Sequence, residues 1–369
     1  MARARRGRGE GSIYQRTDGY WCANVSVGYS DTGKRRRKTV YGATKKEVQE
    51  RLRLLSTEVV GTSLESQKVT VGEYLDRWLR TIKQTVAPNT HKRYETTVKH
   101  QIKPFIGGLR LTRIEPLHVE QLYVTLKEKE FSARTIQLAG ITLGRALQHA
   151  VQLRLVVFNV ARGIRKPRVQ KTEMKVWDAA QVTKFLTTAK TDRLFAMYVI
   201  ALASGLRQGE LFGLQWQDID FEGSCLTVRR SLEELDGKHR LKEPKSNNGR
   251  RVDLPKFAID ALSAHRAKML AEGNIGGPVF CTPGGEWLRK SNVCRRSWKP
   301  LIVAAGVPEI RFHDMRHSSA TLLLGAGENV KVISERLGHA SVNITLSIYA
   351  HATPTMQKAA ADRMQNLLG

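Results

Sequence analysis

The chain has 369 residues, a length that predicts two or three domains, each with its own hydrophobic core. Its 61 Lys and Arg residues outnumber its 34 Asp and Glu residues, which gives a formal net charge of +27 at pH 7. This excess predicts a polyanionic partner. Because the basic residues are spread over every region and no apolar run could span a bilayer, the composition favours nucleic acid and excludes a membrane-spanning protein.

The N-terminus and the cysteines predict a cytoplasmic protein. The first residues, MARARRGRGEG, carry the charge of a signal peptide, but no apolar stretch follows them, so we expect no secretion signal. The four cysteines have no C-x-x-C spacing and are expected to be reduced thiols: Cys22, Cys225, Cys281 and Cys294.

Residues 1–64 are expected to form a small domain with a three-stranded sheet and one helix. Between about residues 11 and 44, three alternating runs are separated by the turn sequences TDG and SDTGK, which predicts a meander. A helix is predicted over TKKEVQERLRLLSTEV, where Thr44 and Glu47 have the spacing of a capping box. We expect the aromatic side chains of the sheet to pack against this helix: Tyr14, Tyr20, Trp21 and Tyr41.

A basic run on the predicted third strand is a candidate DNA contact. It consists of Lys34, Arg35, Arg36, Arg37 and Lys38. Like charges with no acidic neighbour repel one another unless a counter-charge is bound, which favours a DNA phosphate backbone as the partner. A solvated run of charges without a partner remains the alternative.

Residues 65–166 are expected to form an all-helical domain. Apolar residues recur with a period of 3.6 in VGEYLDRWLRTI, NTHKRYETTVKHQI and ARTIQLAGITLGRALQHAVQLRLV, and prolines and glycines interrupt the pattern. The next stretch, RKPRVQKT at 165–172, has no such period and contains Lys166-Pro167, so it predicts a basic linker.

Residues 173–369 are expected to form a mixed domain with helices on both sides of a β-region. The segments DAAQVTKFLTTA and RLFAMYVIALASGL predict helices, whereas CLTVRRSLEE, DGKHRLKEP and GRRVDLP predict three strands with a hairpin turn at Asp236-Gly237. The whole chain is therefore expected to be a mainly α-helical, multidomain protein with small β-sheets.

This third segment contains the groups needed to hold and cleave a phosphodiester. Guanidinium groups bind phosphate oxygens in pairs and stay charged. A tyrosine can attack phosphorus if an imidazole takes its proton, and a lysine can protonate a leaving oxygen. Six candidates follow one another along the chain: Arg207, Lys245, His313, Arg316, His339 and Tyr349.

Several of these residues have an alternative interpretation when they are taken alone. Arg207 could begin a helix and pair with Glu210. His313 and His317 could be a metal pair, although no Glu stands between them as in the zinc motif H-E-x-x-H and no cysteine cluster is near.

The segment SSATLLLGAGENVKVISERLGH could be an ordinary helix-turn-helix. Gly325 and Gly327 would then end its first helix and Gly338 its second. On this interpretation His339 belongs to a helix cap and Tyr349 to the core.

The joint spacing of the six candidates resembles that of the tyrosine recombinase family, and in particular the integrases of phages and integrative elements. Three strings carry the resemblance: SGLRQGELFGLQWQDID, HDMRHSSATLLL and ERLGHASVNITLSIYAH. The first segment is similar to the arm-type DNA-binding domain of such integrases, and the second to their helical, SAM-like core-binding domain. The resemblance implies a site-specific DNA recombinase that integrates or excises a mobile element.

The resemblance also implies roles for the site residues. Tyr349 would attack the scissile phosphate to form a 3′-phosphotyrosyl bond, and Lys245 would protonate the leaving 5′ oxygen. Arg207 and Arg316 would hold the phosphate, while the two candidate histidines would move protons and hold oxygens. Because the covalent bond conserves the energy of the phosphodiester, no metal, nucleotide or other cofactor is implied.

The implied partner is double-stranded DNA with core-type and arm-type attachment sites. Strand exchange would pass through a four-way junction inside a homotetramer. Accessory DNA-bending or directionality factors are further candidate partners, and no membrane partner is implied. The expected location is the cytoplasm of a bacterial host cell, at the nucleoid.

Two stretches depart from the family pattern. The family often has Pro-Lys-Thr followed by a serine, whereas this chain has Pro244-Lys245-Ser246. Lys242 and Lys238 lie on the same predicted hairpin and are alternatives to Lys245 as the general acid. The helical domain ends in Asn159-Val160 where the family commonly has Asn-Pro.

Two other classes of protein remain open at this stage. A type IB topoisomerase would share the tyrosine attack, and a non-catalytic DNA-binding regulator would share the helix-turn-helix. The C-terminal segment TPTMQKAAADRMQNLLG predicts a helix that packs on its own domain or docks on a neighbouring protomer, and the resemblance favours docking. Its apolar face would consist of Met356, Ala360, Met364 and Leu367 or Leu368.

Overall fold

The structure is a computed structural model that describes residues 12–29, 35–51, 68–170, 174–242, 249–274, 276–339, 341–349, 361–362 and 364–368. At residues 12, 25–29, 35–38, 344 and 347–349 it describes the backbone alone. The chain divides into two compact units, Met1–Lys171 and Thr172–Gly369, while the finer division at 1–64, 65–166 and 173–369 stays a prediction. No helix in these described ranges is long and apolar enough to cross a bilayer.

The first unit begins with the expected meander. Its strands pair antiparallel in the order β1 (Ser12–Gln15), β2 (Trp21–Tyr29) and β3 (Arg35–Gly42), and helix α1 follows at 45–51. The Glu47 backbone N–H donates to Thr44 Oγ1 at 3.2 Å, which caps α1 as predicted. The rest of the predicted helix lies outside the described residues.

The expectation that aromatic side chains fill the space between sheet and helix is wrong for three of the four. Tyr14, Tyr20 and Tyr41 are about half exposed, and Trp21 is half-buried with Lys45 Nζ 5.8 Å from its ring centroid. The buried side chains of this region are smaller ones: Cys22, Ala23, Val40 and Val48. Small residues allow the helix to approach the sheet closely and leave the tyrosines outside.

The rest of the first unit is helical, as predicted. It contains α2 (Val71–Ile82), α3 (Pro88–Thr97), a π-helical turn (Val98–Ile102), α4 (Lys103–Ile106), a 3₁₀ turn (Leu111–Arg113), α5 (Pro116–Glu128) and α6 (Ala133–Gln152). Their apolar faces form one core that includes Leu75, Trp78, Tyr94, Leu122, Ile136 and Leu143.

Local sequence explains where these helices begin and end. Thr70 forms a capping box with Glu73 at the start of α2, and prolines occupy first-turn positions of α3 and α5. Helix α6 ends at Gln152 rather than at Val156, where the apolar period stops, because Arg154 adopts a left-handed conformation with φ of 56°.

The second unit has helices on both sides of a β-region. The helices before it are α7 (Ala179–Ala189), α8 (Phe195–Ser204) and α9 (Gln208–Phe212). The strands are β4 (Ile219–Asp220), β5 (Cys225–Val228), β6 (Ser231–Leu235), β7 (Lys238–Lys242) and β8 (Arg250–Asp253). The helices after it are α10 (Lys256–Ala271), α11 (Lys290–Val293), α12 (Lys299–Ala305), α13 (Asp314–Gly325), α14 (Val330–Leu337) and α15 (Val342–Tyr349).

Helix α8 runs through the core of this unit. Its residues are apolar on every side, as expected for a helix that is buried all round. Its Tyr198 belongs to an aromatic cluster with Trp177, Phe185, Trp298 and Phe312. The cluster fixes α8 within the core through Tyr198, and the functional site begins at the C-terminal end of this helix.

The segment CLTVRRSLEE is not one strand as predicted. Strand β5 pairs with β4 and β8, whereas β6 pairs only with β7, so the segment belongs to two sheets. The break falls at Arg229 and Arg230, and Arg230 Nη1 donates to the buried Asp218 Oδ2 at 2.9 Å. An arginine that turns inward to a buried carboxylate ends the strand. The hairpin turn at Asp236 and Gly237 is confirmed, with φ of 51° and 74°.

The helices after the β-region end where the glycines predict. Helix α13 ends at Gly325, Asn329 caps α14 and Gly338 ends α14 in a left-handed conformation. In the C-terminal tail, residues 361–362 and 364–368 are helical.

Candidate active site

The site is built around the turn between α8 and α9. Gly205 ends α8 with φ of 64°, and a Cβ at this position would lie 2.6 Å from Leu337 Cδ2. Only glycine fits both the left-handed backbone and this close approach. The C-terminal end of α14 therefore packs directly on the turn that leads to Arg207.

Arg207 precedes the first turn of α9 and its side chain spans two elements. Its Nη1 donates to Glu210 Oε1 at 2.8 Å, so the pairing considered as an alternative does occur. Its Nη2 also donates to the carbonyl oxygen of Gly338, at 2.6 Å. The side chain keeps 31% of its surface exposed, so the pairing leaves it accessible to an anion.

Arg316 lies on α13 and is buried. Its Nη1 donates to the carbonyl oxygen of Gly205 at 2.7 Å. Each arginine is therefore held by the carbonyl of a glycine beside another site residue: Arg207 at Gly338, next to His339, and Arg316 at Gly205, two residues before Arg207.

His339 follows the glycine that ends α14 and contacts the next helix. Its backbone N–H donates to the Ser334 carbonyl at 3.0 Å, and its Nδ1 hydrogen-bonds with Thr345 Oγ1 of α15 at 2.8 Å. Burial, together with the positive charges of Arg316 and Arg207, lowers the pKa of His339 to about 4. His339 is thus neutral at pH 7 and lies in a positive field.

His313 and His317 flank Arg316 at the start of α13. Their ring centroids are 5.5 Å apart. Partial desolvation of the His313 ring, with the nearby His317 and Arg316, lowers its pKa to about 4, and burial also lowers the pKa of His317. Among the described residues, no group of three or more His, Cys, Asp or Glu side chains is arranged to hold a metal ion.

The sequence did not indicate the role of Arg250. Its Nη1 and Nη2 donate to Glu210 Oε1 and Oε2 at 3.1 and 2.7 Å, so Glu210 is shared by two arginines. Burial raises the pKa of Glu210, but the bonds and charge of Arg250, aided by Arg207, outweigh this and lower it to about 2. No local sequence pattern distinguishes Arg250 from Arg251, because the partner of Arg250, Glu210, is 40 residues away along the chain.

Several expected site residues are only partly described. Lys245 and Lys34 lie outside the described residues, and Tyr349 and residues 35–38 are described by their backbone alone. Tyr349 is the last residue of α15. Of the alternative lysines, Lys242 Nζ donates to Glu233 Oε1 at 2.5 Å, and Lys238 is exposed.

Two other tyrosines are poor nucleophiles. Tyr198 is fully buried with its hydroxyl 2.5 Å from Ser297 Oγ. Burial raises the pKa of Tyr198, and it also raises the pKa of Tyr123 on α5. Neither phenol can reach an external phosphate or lose its proton readily at neutral pH.

The neutral histidines predict a loss of stability in weak acid. The pKa of His339 is about 4 in the folded protein against 6.5 in an unfolded chain, so the unfolded chain takes up a proton first as the pH falls. The free energy of unfolding should therefore be fully retained above pH 6.5 and fall between pH 6.5 and 4, by at most about 1.4 kcal/mol per pH unit for each such histidine.

Urea unfolding of the wild type and of His339→Gln at pH 7.5 and 5.0 measures this loss of stability. The variant should lose less stability on acidification, and an equal loss in both proteins would contradict the prediction.

Comparison with known proteins decides the family. Residues 175–356 match the model of the phage integrase family, and residues 70–127 match that of the phage integrase N-terminal SAM-like domain. A tyrosine recombinase XerC-like protein of Caldanaerobacter subterraneus subsp. tengcongensis is 30% identical, over 94% of this chain and 96% of its own. The chain belongs to the tyrosine recombinases of the phage integrase family.

Other relatives of this recombinase agree with that assignment. The ICEBs1 integrase of Bacillus subtilis strain 168 is 26% identical, over 97% of this chain and all of its own. Among solved structures, the Tn1549 transposon integrase in complex with a circular intermediate DNA has a TM-score of 0.69 at 22% identity, covering 80% of this chain and 100% of that chain. A lambda integrase dimer bound to a COC′ core site has a TM-score of 0.59 at 17% identity, covering 94% and 96%. The expected fold class is confirmed, and so is the expected activity of a site-specific DNA recombinase of mobile elements.

Proposed function

We propose that this recombinase cleaves DNA with Tyr349 as the nucleophile and integrates or excises a mobile element. The phenolic oxygen attacks the scissile phosphorus, a bond forms from phosphorus to that oxygen, and the bond from phosphorus to the 5′ oxygen breaks. The products are a 3′-phosphotyrosyl linkage and a free 5′-hydroxyl. Attack by the 5′-hydroxyl of a second strand reverses these steps and rejoins the DNA.

The observation that carries this proposal is the convergence of two arginines and His339. Arg207 and Arg316 are tied to the carbonyls of Gly338 and Gly205, which brings both guanidiniums to the turn between α8 and α9. Two planar cations can contact several oxygens of a phosphate and stabilise the charge that it gains in the transition state. We propose that this is their role here.

The remaining proton transfers need a base and an acid. His313 and His339 are neutral at pH 7 because their pKa values are lowered to about 4. A neutral imidazole can accept the proton of Tyr349 or hold a phosphate oxygen. We assign the proton donor for the leaving 5′ oxygen to Lys245, because Lys242 already pairs with Glu233.

We propose double-stranded DNA as the substrate and a homotetramer as the assembly that exchanges strands. Two structures with a similar fold support this: a lambda integrase dimer bound to a core site, and a lambda integrase tetramer bound to a Holliday junction. The net charge of +27 suits a polyanion of this kind. Accessory DNA-bending or directionality factors are further proposed partners, and the proposed location is the bacterial cytoplasm at the nucleoid.

A nicked DNA substrate, together with a second duplex that can receive the cleaved strand, separates this function from its rivals. A nick placed so that the cleaved fragment diffuses away traps a covalent protein–DNA complex, in the presence of EDTA and without any nucleotide. A DNA-binding regulator would give no such complex, and a type IB topoisomerase would trap but would not join two different duplexes. Loss of trapping in EDTA with recovery on addition of zinc would support the metal-pair interpretation of His313 and His317.

We propose three domains, with residues 1–64 binding arm-type sites, 65–166 core-type sites and 173–369 carrying out catalysis. The run from Lys34 to Lys38 would contact phosphates of the arm-type site. Deleting residues 1–62 should leave cleavage of a core-only duplex within about twofold of the full chain, because all six site residues lie beyond residue 200.

Binding of the truncated protein to arm-containing DNA should have a shallower salt dependence than that of the full chain, with no change on a core-only duplex, because each lost phosphate contact lowers the slope by about 0.9. Gel-shift titrations at several salt concentrations measure this slope. Loss of core cleavage after the deletion would show instead that the first segment is part of the catalytic body.

We also propose that the C-terminal tail docks on a neighbouring protomer. Three of its apolar side chains, Met364, Leu367 and Leu368, are more than half exposed in the single chain, which leaves them available to a partner. A protein that ends at His351 should keep its melting temperature and single half-site binding but lose cooperative assembly on paired half-sites. A fall of more than about 5 °C in melting temperature would place the tail in its own core instead.

A further inference from the structure

We propose that Arg250 is a positioning residue for cleavage, which rests on the function proposed above. Arg250 acts through Glu210 and Gly338, and it keeps Arg207 available to the phosphate and His339 in place beside it. The proposal rests on the contacts of Arg250, on the charge balance around Glu210 and on the close packing at Gly338.

The contacts of Arg250 link three elements of the second unit. Arg250 begins strand β8 and pairs with Val228 of β5. Its guanidinium makes two bonds to Glu210 on α9, and its Nε donates to the Arg336 carbonyl on α14 at 3.0 Å. The side chain is only 12% exposed, so these hydrogen bonds take the place of those that the guanidinium would make with water. Losing the guanidinium would remove two donors from the buried carboxylate on α9 and one donor from a backbone carbonyl on α14.

The charge balance around Glu210 explains why Arg207 needs Arg250. The Glu210 side chain is 2% exposed and its pKa is about 2, so a full negative charge is held inside the protein. Arg207 and Arg250 together bring two positive charges to this one carboxylate. Without Arg250, Arg207 would be the remaining bonded cation, and its charge would be cancelled before a phosphate arrives.

Packing at Gly338 connects the same pair to His339. A Cβ on Gly338 would lie 2.8 Å from Arg250 Nη1 and 3.0 Å from its Cδ, so the Arg250 side chain lies directly against this glycine. The Gly338 carbonyl accepts the bond from Arg207 Nη2. Gly338 is thus enclosed by both arginines, and the next residue is His339. A shift of Arg250 would move the histidine and release the Arg207 bond together.

Single-turnover cleavage of the nicked substrate at saturating protein tests this inference. Arg250→Gln should lower the cleavage rate by about 10²-fold, comparable to losing one transition-state donor, while half-site affinity stays within about threefold. Arg251→Gln is the matched control, because this substitution removes the same charge from the next position. The Arg251 side chain is exposed and donates to Asp253. We expect the control to cleave within about twofold of the wild type.

A second background separates positioning from a general loss of structure. If Arg250 acts by balancing Glu210, then Arg250→Gln should cost less than about fivefold in a Glu210→Gln protein, which has no buried carboxylate to balance. Arg250→Lys keeps the charge but not the two-point grip, and should retain intermediate activity even if Arg250→Gln does not fold.

Three results would overturn the inference. The first is a normal cleavage rate in Arg250→Gln or, if that variant does not fold, in Arg250→Lys. The second is an equal loss of cleavage rate when Arg250→Gln is made in the wild-type and in the Glu210→Gln protein. The third is a variant that loses half-site affinity but no cleavage rate. Absence of trapping by the wild type would count against the proposed function itself, which is a different outcome.

Discussion

Tyr349→Phe is expected to lower covalent attachment to DNA by more than about 10⁴-fold, to the background of the assay. The substitution removes a single oxygen, and losing a nucleophile removes the whole covalent pathway. Half-site binding should stay within about twofold, because the arginines that we propose as phosphate contacts are unchanged. Trapping on the nicked substrate, with a gel-shift titration of the same preparation, measures both quantities.

The matched control is Tyr198→Phe. It also removes one phenolic oxygen, but from a buried side chain whose hydroxyl bonds to Ser297. This variant should form the covalent complex at close to the wild-type level. A residual complex in Tyr349→Phe, or its loss in Tyr198→Phe, would assign the nucleophile elsewhere.

Arg316→Lys should have the second largest effect, a loss of about 10²- to 10³-fold in the cleavage rate. Lysine keeps the positive charge but cannot hold the Gly205 carbonyl and a phosphate oxygen in one plane. Because the charge remains, half-site binding should fall much less than cleavage. Single-turnover rates and binding constants, measured together, give the two effects separately.

Arg311→Lys is the control for this substitution. Arg311 lies just before α13 and pairs with Asp314, but its side chain is 75% exposed. It should cleave at close to the wild-type rate. Near-normal cleavage by Arg316→Lys would show that Arg316 supports the fold rather than the phosphate.

The parts of the fold that could be predicted are those fixed by neighbours in sequence. The apolar period of VGEYLDRWLRTI predicts α2 over the observed range, and Asp236-Gly237 predicts the hairpin because both residues tolerate positive φ. The order of the site residues identified the family in the same way, since each motif is a short string. These features depend on local geometry, which a sequence displays directly.

The parts that could not be predicted depend on partners far along the chain. Strand CLTVRRSLEE is divided because Arg230 meets Asp218, and nothing near Arg230 indicates that contact. Arg250 and Arg251 look alike in sequence, yet one binds a buried carboxylate and the other is exposed. The tyrosines of the N-terminal sheet have the alternation of packed residues, but small side chains fill the available space. Tertiary contacts of this kind override local pattern.

The most direct test of the central claim is to identify the residue that carries the DNA. The trapped complex of the wild type is digested with nuclease and trypsin, and the peptide that retains a nucleotide is sequenced by mass spectrometry. Residues 337–358 contain no internal Lys or Arg and a single tyrosine, Tyr349, so one peptide reports on it. We predict a 3′-nucleotide on Tyr349 in this peptide. A nucleotide on any other residue, or no modified peptide from a trapped complex, would contradict the account.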